Sequence, residues 1–182
     1  PEFDIPILGV VKAGAKEAAK VTKNGKIGVI ATESTIESQL YTKEIHSHKP
    51  NAQVLGKPCP LFVPLVEEGW LKDPVTVEVA NRYLEPLLES GIDTLIMGCT
   101  HYPLLRSTLR QIMGEKVNLV NPAYETAREL KSLLERDGLN NDGKQNYEGA
   151  MHEFYVSDAA EKFRRFANTV MPFDVPTTNV VN

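Results

Sequence analysis

The sequence predicts an α/β fold, in which a mostly parallel β-sheet is flanked by helices. Short apolar runs such as KIGVIAT, DTLIMG and KVNLVN have the length and the β-branched content of buried strands. Longer amphipathic stretches lie between these runs. Strands that alternate with helices form right-handed crossover units, which place the strands parallel to one another.

The first half of the chain contains three predicted strands, IPILGVV, KIGVIAT and AQVLGKPC. An alanine-rich helix follows the first strand and should end at Asn24 and Gly25. After the second strand, ESTIESQLYTKEIHSH is predicted to be one helix, with Ile36, Leu40 and Ile45 near one face. PLFVPLVEEGWL follows the third strand as a short helix or a loop.

The second half continues the alternation of helix and strand. DPVTVEVANRYLEPLLESG is a helix with Asp73 as its cap and Gly91 beyond its end, and Pro86 should kink it. DTLIMG and KVNLVN are strands, and the helices HYPLLRSTLRQIMG and PAYETARELKSLLERDG follow them. LNNDGKQNYEGAMHE is the one long loop candidate, and FYVSDAAEKFRRFANTVM closes the chain as a strand and a helix.

Cys99 is the first candidate functional residue, because it follows a predicted strand and precedes a predicted helix with Pro103 in its first turn. Ligand sites of open α/β sheets lie at the carboxyl ends of strands, and N–H groups at a helix start favour negative charge. A thiol there should ionise more readily than a free thiol. A buried, inert cysteine is the alternative, but Thr100 and His101 add two polar groups that a structural position does not need.

Composition excludes several classes of protein. The 182-residue chain has a net charge of −4 and lacks the basic cluster that nucleic acid requires. No apolar window approaches the length of a membrane span. Two cysteines are too few for a disulfide framework and have no zinc spacing, so a cytoplasmic location fits. His46 and His48 lack a carboxylate partner and are interpreted as surface residues rather than metal ligands.

The segments IMGCTHYPLL, GVIATESTIES and GKPCPLFVPLVEEG resemble the glutamate racemase family. Those enzymes need no cofactor and supply D-glutamate for peptidoglycan. The resemblance implies L-glutamate and D-glutamate as ligands and a homodimer for the intact protein, with no nucleic acid or membrane partner. GCTHYPLL is its most specific part, because the related aspartate racemases usually carry a glutamate where this sequence has His101.

The resemblance also implies roles for individual residues. Two cysteines flank the α-carbon of glutamate in the family, and Cys99 matches the second of them, which acts on the L-enantiomer. Thr100 then contributes to substrate binding, and His101 assists proton movement and contacts substrate. Glu67 matches a catalytic-site carboxylate. Thr32 and Thr35 match residues that line the cleft.

The sequence departs from the family pattern in one large respect. It has no Asp-Ser pair near its start, no Pro-Tyr-Gly and no Cys-Asn-Thr motif with the first catalytic cysteine, and Cys59 in GKPCPLF does not replace that cysteine. By the two-lobe template of the family, residues 7–122 form one complete lobe. Residues 123–182 form the carboxyl-terminal portion of the other lobe, whose amino-terminal part is absent. We therefore expect a truncated chain that is inactive alone.

Two other functions remain open from the sequence. An aspartate or hydantoin racemase would share the fold, although His101 disfavours it. A non-catalytic binding module is the third reading, for which the sequence shows no basic or heptad surface. Comparing glutamate with aspartate as substrates would distinguish a glutamate racemase from an aspartate racemase.

Overall fold

The computed structural model describes residues 5–141, 152–175 and 178–181. The chain forms two compact units, Pro1–Leu139 and Asn140–Asn182. The strands of the first unit are β1 (Lys26–Ala31), β2 (Gln53–Pro58), β3 (Thr94–Met97) and β4 (Asn118–Val120). Its helices are α1 (Val10–Val21), α2 (Glu33–Glu37), α3 (Leu40–His48), α4 (Phe62–Glu67), α5 (Pro74–Glu89), a 3₁₀-helix (Tyr102–Leu105), α6 (Arg106–Met113) and α7 (Pro122–Arg136).

The four strands form one sheet in the order β2-β1-β3-β4, and every neighbouring pair is parallel. In the register of this sheet, Val29 lies opposite Gly56 on one side and Ile96 on the other. The predicted α/β fold with a parallel sheet is therefore confirmed. β2 and β3 lie on opposite sides of β1, so the strand order changes direction at β1. Such a change of direction opens a crevice at the carboxyl ends of β1 and β3.

Helices cover both faces of the sheet. On one face α1 packs against α3 and α7, over a core that includes Ile27, Val29, Ile45 and Ile96. On the other face α5 packs against α4 and α6. These layers bury the two central strands, β1 from Ile27 onward and β3 throughout, which explains why their sequences are almost continuously apolar rather than alternating.

The close contact between α1 and α7 positions the start of α7 next to the sheet. A Cβ atom added at Gly14 would lie 2.8 Å from Cγ of Pro122, so only glycine allows the two helices to approach this closely. Asn121 caps α7, since its side chain accepts a hydrogen bond of 3.1 Å from the N–H of Ala123. The loop before α7 is thereby held at the carboxyl edge of the sheet.

The strand predicted for IPILGVV is wrong. Residues 6–9 form no regular element, and α1 already begins at Val10. Ile5 and Ile7 are 66% and 71% exposed. A strand needs a hydrogen-bonded neighbour, and within the described residues the four-stranded sheet offers this segment none.

The single helix predicted for ESTIESQLYTKEIHSH is two helices. Gln39 separates α2 from α3 in a left-handed conformation, with φ of 55°. The break resets the helical phase, so that Leu40 is 50% exposed while Tyr41 is only 5% exposed. Tyr41 therefore takes the buried position that periodicity had assigned to Leu40.

Helix α5 agrees with its predicted start. The Asp73 side chain accepts a hydrogen bond of 2.8 Å from the N–H of Val75, and the helix continues through Pro86 to Glu89. These details place the carboxyl end of α5 just before β3, the strand that leads to Cys99.

The second unit contains β5 (Tyr155–Val156), α8 (Ala160–Val170) and β6 (Asn179–Val180), with β5 parallel to β6. A strand followed by a helix was predicted for its sequence, and both are present. Most of the predicted loop LNNDGKQNYEGAMHE lies outside the described residues. The lobe boundary between residues 122 and 123 refers to the complete family chain and stays a prediction; in this chain α7 belongs to the first unit.

Candidate active site

A cleft of about 270 Å³ opens at the carboxyl ends of β1 and β3. It is lined by Val10, Val11, Thr32, Thr35, Tyr41, Met97, Gly98, Cys99, Thr100, Pro103, Asn121, Pro122 and Ala123. This position is the crevice where an open α/β sheet binds its ligands. The structure thus brings together Thr32, which follows β1, Thr35 from α2, and Cys99 and Thr100, which follow β3.

The helix predicted after Cys99, with Pro103 in its first turn, is present, but it begins as a 3₁₀-helix rather than as an α-helix. A turn and the 3₁₀-helix follow Cys99, and α6 begins only at Arg106. The buried Tyr102 shapes this segment, because its hydroxyl donates a hydrogen bond of 2.8 Å to the carbonyl of Cys59 and its ring packs edge-on against Phe62. These contacts hold the 3₁₀-helix, which continues directly into α6 and whose Pro103 lines the cleft.

Cys99, His101 and Glu67 form a line of proton-carrying groups. The Cys99 Sγ lies 3.9 Å from Nδ1 of His101, and Nε2 of the same ring lies 3.5 Å from Oε1 of Glu67. The side chains of His101 and Glu67 are 23% and 30% exposed. A ring that donates Nε2–H toward the carboxylate presents Nδ1 as an acceptor to the thiol. This arrangement can take a proton from Cys99 and return it.

The remaining hydroxyls flank the thiol. Thr100 Oγ1 lies 3.3 Å from Nδ1 of His101, and Thr32 and Thr35 share a hydrogen bond of 2.9 Å between their hydroxyls. Hydroxyls both donate and accept, so they suit a ligand that carries carboxylate and ammonium groups. The roles assigned to these threonines, to His101 and to Glu67 stay predictions.

Two polar side chains of the cleft, those of Tyr41 and Asn121, were missed in the sequence. Tyr41 comes from α3, where the predicted helical phase placed Leu40 at the core instead. Asn121 comes from the loop before α7, and its Oδ1 caps that helix. Only the polar cap motif Asn-Pro at residues 121–122 was visible in the sequence as a signal for the second of these.

Cys59 lies in a different environment from Cys99. It is completely buried, and its thiol donates to the carbonyl of Lys57 at 3.5 Å. Burial raises the pKa of Cys59 to about 12, and the nearby Lys57 lowers it to a smaller extent. Cys59 is not among the residues that line the cleft, so Cys99 is the thiol available there.

Within the described part of the chain, no helix is long and apolar enough to cross a membrane. No three side chains of His, Cys, Asp or Glu in the same residues group as metal ligands would.

Comparison with known proteins gives a consistent result. The family model described as Asp/Glu/Hydantoin racemase matches residues 1–130. A glutamate racemase of Geobacter metallireducens is 44% identical over 166 residues, which are 91% of this chain and 60% of that protein. The crystal structure of glutamate racemase RacE1 from Bacillus anthracis aligns with a TM-score of 0.89 at 35% identity, covering 99% of this chain and 66% of that one. A glutamate racemase from Francisella tularensis, in complex with D-glutamate, aligns with a TM-score of 0.86 at 32% identity, covering 98% of this chain and 65% of that one.

The fold and the site together define a parallel α/β protein that presents a thiol, an imidazole and several hydroxyls at the carboxyl edge of its sheet. Its fold is that of the glutamate racemase structures. The chain belongs to the Asp/Glu/Hydantoin racemase family. It spans about three fifths of the length of the relatives that it matches.

Proposed function

We propose that this chain contributes to glutamate racemase activity, which is the interconversion of L-glutamate and D-glutamate by proton transfer at the α-carbon. The observation that carries the proposal is the line from Cys99 through His101 to Glu67, at the edge of a cleft rich in hydroxyls. The relatives named glutamate racemase support glutamate as the substrate, rather than aspartate or a hydantoin.

Cys99 is the base or acid on one face of the α-carbon. A thiolate can remove the α-proton only when it is oriented and shielded from water, since that proton is very weakly acidic. Met97 and Pro122 line the same cleft and add apolar surface to the site of the sulfur. His101 accepts the thiol proton, Glu67 orients the ring, and Thr32, Thr35 and Thr100 bind the substrate.

Inversion needs a proton carrier on the opposite face as well. The sequence contains two cysteines, and Cys59 is buried away from the lining of the cleft. In the two-thiol mechanism the second thiol belongs to a Cys-Asn-Thr motif, which these 182 residues do not contain. This chain alone should therefore exchange the α-proton of one enantiomer and fail to interconvert the two.

The proposal extends to the cellular role. The reaction would proceed without a cofactor in the cytoplasm and would supply D-glutamate for peptidoglycan. A homodimer is the proposed assembly of the intact protein. Exposed apolar side chains, among them Tyr124 and Leu130, support association of the chain, which light scattering can measure.

The test is deuterium uptake at the α-carbon of L-glutamate and D-glutamate in heavy water, followed by NMR, with circular dichroism to detect inversion. Cys99→Ser should abolish uptake, because a serine hydroxyl is a much poorer base at neutral pH. His101→Asn should slow it less, since the imidazole assists and does not carry the α-proton. His46→Asn is the matched control, as His46 is an exposed imidazole outside the cleft.

Two outcomes would contradict the proposal. Uptake that survives Cys99→Ser would remove this thiol from the chemistry. Rapid racemisation by the 182-residue chain alone would refute the two-thiol mechanism and require a second base among the groups already present.

A further inference from the structure

Tyr41 combines deep burial with an unused hydroxyl. It is 5% exposed and belongs to the core cluster with Ile45 and Ile96. Among the described residues its hydroxyl has no hydrogen-bond partner, whereas the other deeply buried phenol, Tyr102, donates to a backbone carbonyl. The hydroxyl oxygen is not among the buried side-chain atoms that lack a partner, so it stays accessible although the rest of the residue is buried. An accessible hydroxyl without a partner in the described protein is available to bind a ligand.

The ring of Tyr41 lies against the backbone that carries Cys99. A Cβ atom added at Gly98 would be 3.0 Å from Cε2 of Tyr41, and Cε2 is next to the carbon that bears the hydroxyl. Tyr41 also lines the cleft together with Cys99 and Thr100. The hydroxyl end of the ring thus lies near Gly98, the residue that precedes Cys99, in the cleft that both side chains line.

The absence of basic side chains from the described lining of the cleft indicates how a carboxylate would be bound there. None of the described residues that line the cleft is a lysine or an arginine. A carboxylate that enters must therefore be held by neutral donors, and each hydrogen bond to a charged group is stronger than one between neutral groups. A phenol that stays protonated is such a donor. Burial, and to a lesser extent the charge of Cys99, raises the pKa of Tyr41 to about 12, so the phenol keeps its proton at neutral pH.

We propose that Tyr41 is a substrate-positioning residue, whose hydroxyl donates a hydrogen bond to a carboxylate of the ligand bound beside Cys99. This inference rests on the proposed function only in taking the ligand to be a carboxylate. The hydroxyl has no partner until the ligand supplies one, and the ligand is thereby oriented with its reacting carbon toward the sulfur.

The experiment compares two alkylating reagents on the 182-residue chain. Iodoacetate carries a carboxylate next to its reactive carbon, and iodoacetamide is its neutral analogue. Both react with the thiolate of Cys99, which forms a C–S bond as iodide leaves. The ratio of the two rate constants is therefore independent of the thiolate fraction. It reports how strongly the cleft favours a reagent with a carboxylate over its neutral analogue. Peptide mapping confirms that Cys99 and not the buried Cys59 is modified.

Tyr41→Phe should lower the ratio of iodoacetate to iodoacetamide rates several-fold, since only the donor is removed. Tyr83→Phe is the matched control, because Tyr83 lies outside the cleft, and it should leave the ratio unchanged. The denaturation midpoint should not fall in Tyr41→Phe, because the lost hydroxyl makes no hydrogen bond within the described protein. A structural hydroxyl would lower that midpoint.

An unchanged ratio in Tyr41→Phe would overturn the proposal, and so would an equal fall in Tyr83→Phe. Rates that fall equally for both reagents would also overturn it, since that result would assign the hydroxyl to the thiol or to the fold. Failure of the racemase proposal is distinguishable, because it would appear as absent deuterium exchange and would not alter the alkylation ratio.

Discussion

Replacement of Gly98 by alanine tests the packing that holds Cys99 in place. The added methyl group would lie 3.0 Å from the carbonyl oxygen of Ile30, 3.0 Å from Cε2 of Tyr41 and 3.1 Å from Cβ of Ala31. Two of these neighbours are backbone or Cβ atoms of β1, which sits at the centre of the sheet. They are therefore unable to move aside as the end of a flexible side chain would.

The magnitude follows from these contacts. Overpacking of this kind costs about 1–3 kcal/mol. The N–H of Gly98 also donates a hydrogen bond of 2.7 Å to the same Ile30 carbonyl, and displacing the loop would weaken it by about 0.5–1.5 kcal/mol. We expect a loss of about 1.5–4.5 kcal/mol in the free energy of unfolding, which leaves most molecules folded if the total stability is about 5–15 kcal/mol.

Urea denaturation followed by circular dichroism measures this loss, with Gly9→Ala as the matched control. A Cβ atom at Gly9 meets nothing within 4 Å, so that variant should change the free energy of unfolding by about 1 kcal/mol or less. Because the loop carries Cys99, Gly98→Ala should also reduce Cys99-dependent deuterium exchange by about ten-fold or more. Equal stabilities for the two variants would refute the packing described for Gly98, as would full exchange activity in Gly98→Ala.

Three further predictions concern the two thiols, the hydroxyl of Tyr102 and the carboxylate of Asp93. Cys99 should react with iodoacetamide at neutral pH while Cys59 stays unmodified in the folded protein, because burial raises the pKa of Cys59 to about 12; equal rates by mass spectrometry would mean that the Cys59 environment is open. Tyr102→Phe should lower the free energy of unfolding by about 1–2 kcal/mol, since the carbonyl of Cys59 loses its 2.8 Å hydrogen bond in a buried site, and thermal denaturation that matches the wild type would contradict this. Asp93→Asn should destabilise the protein at pH 7 by about 1–3 kcal/mol. In the wild type, the backbone N–H groups of Lys23 and Asn24 each donate to Oδ2 at 2.7 Å, and the hydroxyls of Thr22 and Thr94 donate to Oδ1. The new amide N–H₂ would replace one of these two oxygens and face its donors. Burial raises the pKa of Asp93, but the hydrogen bonds that it accepts from Thr22, Asn24, Thr94 and Lys23 outweigh burial and hold that pKa below its ordinary value of 3.8. The stability that the carboxylate contributes is therefore present above that ordinary value and is lost as the pH falls through the lower folded-state pKa. The difference in free energy of unfolding between Asp93→Asn and the wild type should thus shrink in acid. A difference that is constant from pH 7 to pH 3 would contradict the lowered pKa.

Local patterns were sufficient for most of the fold. Strands β1 and β3 were visible as short apolar runs, because a strand buried on both faces has a continuous apolar sequence. The cap of α5 was visible as Asp73 followed by proline, since both residues act within one turn of the chain. Cys99 and Thr32 could be assigned to the same sheet edge for a similar reason, as each directly follows a strand.

Other features depended on contacts that a local pattern does not contain. The apolar run IPILGVV has the composition of a strand but no hydrogen-bonded neighbour among the described residues, so its sequence alone was misleading. The left-handed Gln39 shifted the phase of α3 and turned Tyr41, rather than Leu40, toward the core. The 3₁₀-helix after Cys99 reflects the hydrogen bond from Tyr102 to Cys59, whose residues are 43 apart in the sequence.

The sequence by itself determined the α/β class and the parallel sheet and predicted Cys99 as the thiol of the site, because each depends on composition and spacing within one or two adjacent elements. Only the tertiary structure decided which side chains surround that thiol. Glu67 reaches His101 from α4, Tyr41 reaches the cleft from α3 and Asn121 from the start of α7. The physical reason is that a parallel sheet gathers the ends of strands far apart in sequence at one edge, where the packing of helices on both faces sets the final distances.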